Sequence, residues 1–168
     1  MSELELLKNV RIFEGLSEEE IKTVRKIMLI KKYPANSMII REGEEGDEMF
    51  IISSGLVEIS QTLTLKVSRE SYDTKDKTLV KLGAKDHVFF GEIALLESSQ
   101  RTATVKAAEN CELFVINKSG FDEFCSSNPK TGYMILRNIS KVVCARLRKA
   151  NNDILKLTTA LSIALSKK

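Results

Sequence analysis

The 168-residue chain predicts a mainly β protein with flanking helices, an antiparallel, jelly-roll-like body with helices before it and one long coiled-coil helix after it. Three observations carry this reading. From about Leu29 to Asn117, short runs rich in Ile, Val, Phe and Thr are separated by turn residues at close intervals, the pattern of an antiparallel sandwich or roll. Ahead of that stretch, Ser17 followed three residues later by Glu20 is a capping box that opens a helix. Behind it, apolar residues recur in heptad rhythm.

The elements come in order. Leu4 to Leu7 begins an N-terminal helical part, and the capping box starts a helix expected from about Glu18 to Met28. Its apolar residues Ile21, Val24, Ile27 and Met28 lie at helical spacing and should pack on the body of the protein. Pro34-Ala-Asn-Ser is a turn. Met38 to Ile52 reads as strand, acidic Gly-containing turn (Glu42 to Glu48) and strand, and Ser53-Ser-Gly55 leads into another strand. Thr62 to Val67 and Leu79 to Leu82 are expected to pair, with the polar Ser68 to Lys77 as a mobile hairpin tip. Ala107 to Asn110 turns the chain into the strand Cys111-Glu-Leu-Phe-Val-Ile.

Ser119 to Phe124 returns to helix, Asn128-Pro129 interrupts it, and a last helix is expected from about Gly132 to the end. Along it Leu136, Val143, Leu147, Ala150, Ile154, Leu157, Leu161 and Ala164 alternate three and four apart, with Ser140 in the one missing slot. A stripe that strict is a coiled-coil seam, and a two-fold partner is the economical way to bury it. The chain therefore divides at 1–131, the β body with its N-terminal helices, and 132–168, a dimerisation helix within the same domain.

Composition narrows the function classes. With 43% hydrophobic and 29% charged residues, the chain is that of an ordinary soluble domain. Its apolar runs are far short of a membrane span, and Met1 to Arg11 has no signal-peptide pattern, so a cytoplasmic protein with no membrane contact is expected. The odd, widely spaced Cys111, Cys125 and Cys144 fit reduced, mostly buried thiols. One histidine and no Cys-x-x-Cys argue against a metal site, and His87 reads as a loop or strand-edge residue. From Lys130 to Lys168 nine Lys and Arg face a single acid, Asp153, a charge of +8 that leaves −5 elsewhere. No aromatics are interleaved with these charges, so they read as the solvated face of a helix, and nucleic-acid binding is not expected of them.

The most informative segment is Phe90 to Val105, FGEIALLESSQRTATV. Gly91, lacking a Cβ, lets backbone approach a ligand closely. Ile93 to Glu97 can form one helical turn whose first N–H groups point outward as an anion site. Arg101 is an always-charged planar fork suited to phosphate oxygens. Glu92 beside that anion site is a poor phosphate partner and a good acceptor for a sugar hydroxyl, as acidic residues are in dinucleotide sites. Together they suit a nucleotide with one charged phosphate and a free ribose hydroxyl. No Ser/His/Asp or paired-carboxylate arrangement accompanies them, so no enzyme is expected.

The segment resembles the phosphate-binding cassette of the cyclic-nucleotide-binding domain, the module of catabolite activators, protein kinase regulatory subunits and cyclic-nucleotide-gated channels. The resemblance runs from about Arg11 to Arg148. It implies a β-roll whose turns are shaped by Gly43 and Gly55. It also implies a site spanning Phe90, Gly91, Glu92, Ile93, Ala94 and Leu95 together with Arg101, Thr102 and Ala103. In it Glu92 takes the ribose 2′-hydroxyl, Arg101 pairs with the cyclic phosphate, and Ala103 leaves room beside it. Asn151 falls near the helix position that reaches the base from the partner subunit. The chain departs from the family pattern at Lys85-Asp86-His87-Val88, where Gly-Asp is common, and at Gln100, where Pro is frequent. The implied ligand is cAMP first, with cGMP the alternative because Thr102 follows Arg101. No metal is implied.

The resulting expectation is a cyclic-nucleotide sensor that relays binding through a homodimer helix to a downstream protein partner that no residue identifies. One alternative is a non-switching structural or interaction module. Another is the sensory part of a truncated transcription regulator. Nothing after Asp153 resembles a helix-turn-helix, so DNA binding is not expected of this chain.

Overall fold

The computed structural model of the chain describes residues 2–66, 72–97 and 99–166. Two capping boxes start the N-terminal helices. In α1 (Glu3–Asn9) the Ser2 hydroxyl accepts from the Glu5 amide (3.2 Å) while the Glu5 carboxylate accepts from the Ser2 amide (2.8 Å). Ser17 and Glu20 repeat the exchange at α2 (Glu18–Arg25), at 3.3 and 2.8 Å. A 3-10 turn, Arg11–Phe13, joins the two. α2 ends three residues before the expected Met28, because the Ile27 and Met28 amides bond back three residues, to Val24 and Arg25, in a tightened last turn. Ile21, Val24 and Met28 are nonetheless buried as their spacing required.

The strands are β1 (Leu29–Tyr33), β2 (Met38–Ile40), β3 (Glu45–Gly46), β4 (Glu48–Ser54), β5 (Leu56–Lys66), β6 (Tyr72–Gly83), β7 (Phe89–Phe90), β8 (Ser99–Gln100), β9 (Thr104–Ala107) and β10 (Cys111–Asn117). They pair antiparallel in the orders β1-β10-β4-β7, β2-β9-β5-β6 and β3-β8. Three helices complete the chain: α3 (Glu92–Leu96) inside the roll, then α4 (Lys118–Ser127) and α5 (Pro129–Ser166).

Strand β4 explains how roll and helices are joined. Its Met49-Phe-Ile-Ile run is apolar at every position because both faces are covered. Met49 and Ile51 belong to the helical core with Val10, Ile21, Phe121 and Ile135. Phe50 and Ile52 belong to the roll interior with Val57, Phe90 and Val105. β10 alternates likewise, with Phe114 and Ile116 toward the helices and Leu113 and Val115 toward the roll.

The structure also corrects the expected hairpin tip and the start of the last helix. Tyr72 to Lys77, read as part of a hairpin tip, lies in β6 and continues the ladder, with Thr62 opposite Asp76 and Lys66 opposite Tyr72. A ladder is held by backbone groups, so the charged side chains that suggested a loop do not break it. The remainder of that tip, 68–71, lies outside the described residues, as does Val67 at the end of the expected strand. α5 begins at Pro129 rather than Gly132, since proline suits the first helical position, where its missing N–H is not needed.

The root of α5 is fixed and the rest stands clear. Ile135 and Ile139 are buried, and the buried Asn138 amide donates to the carbonyls of Ile12 (3.1 Å) and Glu14 (2.8 Å). On the heptad stripe, Val143 still packs against the helical core, whereas Leu147, Ile154, Leu157 and Leu161 are all exposed. Cys111 is buried, Cys125 half-buried and Cys144, on α5, exposed, so burial covers fewer of the thiols than expected. No described helix is long and apolar enough to cross a membrane.

Candidate functional site

The site is built around Arg101, which a clamp of backbone holds. The Arg101 amide donates to Glu44 O (2.8 Å) and its carbonyl accepts from the Gly43 amide (2.9 Å). The ladder of β3 and β8 continues this pairing. Gly43 sits at φ +82°, a left-handed turn that suits glycine. The buried Thr104 fastens the same turn, its hydroxyl accepting from the Glu42 amide at 3.1 Å. Thus the acidic Glu42–Glu48 segment, legible only as a turn, is the partner that fixes the arginine.

The guanidinium is placed just as tightly. Arg101 Nη1 donates to Glu48 O (2.8 Å), and the group lies 5.8 Å from the centre of the Phe50 ring, which stacks on Phe90 at 5.2 Å. Two glycines leave it room. A Cβ on Gly46 would overlap the Arg101 side chain, and one on Gly91 would stand 2.9 Å from Nη1 and 2.8 Å from Glu48 O. Burial draws the Arg101 pKa below its ordinary value, and the nearby Glu48 and Asp47 charges oppose that shift. No described carboxylate forms an ion pair with it, so a partly desolvated cation is presented with donors to spare.

Gly91, at φ +81°, turns the chain from β7 into α3 and brings Glu92 inward. The Glu92 side chain is only 7% exposed, and its Oε1 accepts from Arg146 Nη1 at 2.6 Å. Arg146, on α5, also donates through Nη2 to Phe89 O (3.1 Å) and lies over the Phe89 ring. A cavity of about 150 Å³ brings these groups together. Of the residues expected from the sequence, Phe90, Gly91, Glu92, Ile93, Ala94, Arg101, Thr102 and Ala103 line it. The structure places Leu95 elsewhere, buried in the helical core, while Asn151, expected to reach the pocket of a partner subunit, is exposed on α5. Gln61 braces the rim, its amide donating to Thr102 O at 2.8 Å.

Two positions that shape the surroundings of Arg101 and Glu92 escaped the sequence reading. Gly46 lies in an acidic turn where glycine is unremarkable, and only the packed guanidinium reveals its purpose. Arg146 sits in a basic stretch, and no local spacing connects it to Glu92, 54 residues away. Among the described residues no cluster of His, Cys, Asp or Glu is arranged to hold a metal ion.

Comparisons with known proteins agree with this geometry. The CRP-like cAMP-activated global transcriptional regulator of Mycobacterium tuberculosis is 26% identical over 150 residues, covering 89% of this chain and 61% of the regulator. The cGMP-dependent protein kinase egl-4 of Caenorhabditis elegans is 34% identical over 119 residues, covering 70% of this chain and 14% of the kinase. The chain thus spans about three fifths of the first relative and a small part of the second. The Thermus thermophilus catabolite activator protein superposes with a TM-score of 0.73 at 24% identity, over 88% of this chain and 63% of its own. The cAMP-complexed regulatory domain of Toxoplasma gondii PKA superposes with a TM-score of 0.58 at 28% identity, over 72% and 42%. Residues 30–128, which hold every strand from β2 onward and the whole Gly91–Arg101 cassette, match the cyclic nucleotide-binding domain, and the chain belongs to that family.

Proposed function

We propose that the chain binds a cyclic nucleotide, cAMP in preference to cGMP, at the Arg101–Glu92 cavity and passes the binding event to a homodimer through α5. One observation carries the ligand reading: a partly desolvated arginine without a carboxylate partner and a buried carboxylate line the same cavity. In this reading the Arg101 fork receives the cyclic phosphate, the α3 amides after Gly91 add donors beside it, and Ala103 leaves the oxygens room. Glu92, which can only accept while ionised, takes the ribose 2′-hydroxyl. The exposed Thr102 hydroxyl stands at the rim, where it can meet a base. The exposed stripe Leu147, Ile154, Leu157 and Leu161 supports the homodimer, since an apolar seam of that length needs a partner to cover it.

Titration calorimetry with cAMP and with cGMP tests the reading. A charge-assisted contact of this kind is worth about 1.5–3 kcal/mol, so Arg101→Leu should weaken binding tenfold or more while the fold persists. Absence of heat with either nucleotide overturns the function. Equal affinity in the variant overturns the assignment of Arg101. The second reading, the sensory part of a transcription regulator, is supported by the extent of the alignment with the mycobacterial regulator, which covers most of this chain.

A further inference from the structure

A second cavity, of about 320 Å³, shares Arg146 with the Arg101–Glu92 cavity and is about twice its size. That volume falls in the range of small-molecule sites, about 300–1,000 Å³. Three separate stretches of the chain wall it: Arg11 from the turn joining α1 and α2, residues 86–89 from the turn that leads into β7, and Val142, Ala145, Arg146 and Lys149 from α5. None of these α5 residues belongs to the heptad stripe, so the cavity is not part of the seam. Neither Arg101 nor α3 contributes to its walls, which sets it apart from the site proposed for the cyclic phosphate.

The charge around it is lopsided, with Arg11, Arg146 and Lys149 set against Asp86. Arg146 is shared with Glu92, whereas the Arg11 and Lys149 side chains have no ion-pair or hydrogen-bond partner among the described residues. One Asp86 oxygen is already taken, accepting from the Gly83 amide at 2.7 Å. His87 adds to this picture. It is held at φ +48° and ψ +43°, a left-handed conformation that suits glycine and strains a residue with a Cβ. Its Nδ1 is buried without a hydrogen-bond partner. The tautomer with its proton on Nε2 avoids burying an unpaired N–H, and it makes Nε2 a donor. A strained backbone and an unsatisfied buried atom are both marks of a residue kept for what it binds.

We propose that this cavity binds a small phosphate monoester, with Arg11 and Lys149 on the phosphate oxygens, His87 Nε2 as a further donor, and the carbon body against Val88 and Val142. A phosphate monoester carries about two negative charges near neutral pH and three strong acceptor oxygens, which two unpaired cations and an imidazole N–H match. A monocarboxylate brings half that charge. The bound ester would tie together the N-terminal turn, the turn before β7 and α5, and so stabilise the chain by mass action.

The chain has one histidine, so the His87 ring protons give the only imidazole signals in its NMR spectrum. Phenyl phosphate, which joins the proposed headgroup to an apolar body, should shift them in a saturable way, both without cAMP and with cAMP in excess. The double variant Arg11→Gln, Lys149→Gln changes two exposed side chains and should keep the fold. Calorimetry should show phenyl phosphate binding to it tenfold or more weakly, with cAMP affinity unchanged, while Arg101→Leu should bind phenyl phosphate as the unchanged chain does. Unmoved His87 signals, or equal affinity in the double variant, overturn the site. Displacement of phenyl phosphate by cAMP, or its loss in Arg101→Leu, would put the probe in the nucleotide cavity and overturns the site equally. Tighter binding of succinate than of phenyl phosphate overturns the phosphate class. Failure of cAMP and cGMP to bind overturns the nucleotide reading and leaves this site standing if the His87 signals still respond.

Discussion

Gly46→Ala offers a sharp test of how the proposed phosphate site is built, because the change adds one methyl group beside Arg101 while replacing none of the residues proposed to touch the ligand. Its added Cβ would overlap the Arg101 guanidinium, whose position is otherwise set by Glu48 O and the Phe50 ring. Gly46 is a β3 residue outside the left-handed region, so alanine brings no backbone strain there. The guanidinium must shift, and the phosphate contact it is proposed to make suffers. Losing most of a charge-assisted bond worth about 1.5–3 kcal/mol weakens binding on the order of 10- to 100-fold. Thermal stability should change little, since a lost bond to Glu48 O is set against a stiffer unfolded chain.

Gly43→Ala supplies the opposite control. A Cβ there meets nothing within 4 Å, but the residue sits at φ +82°. A left-handed alanine costs about 1–2 kcal/mol, or about 2–4 °C in Tm for each kcal/mol in a chain of this size. Calorimetry and thermal melts should therefore dissociate, with Gly46→Ala losing affinity and Gly43→Ala losing stability. If Gly46→Ala binds cAMP as tightly as the unchanged chain, the packed guanidinium is not the phosphate anchor, and the clamp around Arg101 serves the fold alone.

Two further outcomes bear on the proposed roles. Glu92→Gln should narrow the preference for cAMP over its 2′-deoxy analogue, measured as a ratio of dissociation constants, because a neutral amide is a weaker acceptor for the hydroxyl; an unchanged ratio would remove Glu92 from the ribose. Replacing Leu147 and Ile154, both more than half exposed, with Glu should shift the chain to monomers in analytical ultracentrifugation and, if the partner's helix lends contacts to the pocket, weaken nucleotide binding as well. Monomers that bind undiminished would make α5 an assembly device alone.

Much of this architecture was legible because its signals are local. Ser17 and Glu20 form their box within one turn, Gly43, Gly55 and Gly91 stand at positive φ, and the Gly-Glu to Arg spacing lies within a single cassette. β4 and β10 announced themselves as apolar runs, although only packing shows that they divide their side chains between two cores. What could not be read depends on distant partners. The Arg101 clamp comes from residues 43–48, more than 50 positions away, and Arg146 meets Glu92 from the last helix. Tyr72 to Lys77 misled because charge marks loops only on average, whereas an antiparallel ladder asks nothing of its side chains. Leu95 was grouped with the site by its place in the cassette, yet α3 is a helix with an inner face, and Leu95 is on it.

The anchoring of α5 gives the helix mechanical leverage. Asn138, pinned to two carbonyls between flanking buried isoleucines, is a fulcrum. Arg146 lies eight residues beyond it, about 12 Å along the axis, and Leu161 lies 23 residues beyond, about 35 Å. A rigid tilt about Asn138 that moves Arg146 by one ångström would carry Leu161 by about three, since the displacement grows in proportion to the arm. Small rearrangements at Glu92, the carboxylate proposed to take the ribose, would thereby be magnified at the far end of the stripe, where a second chain would feel them most.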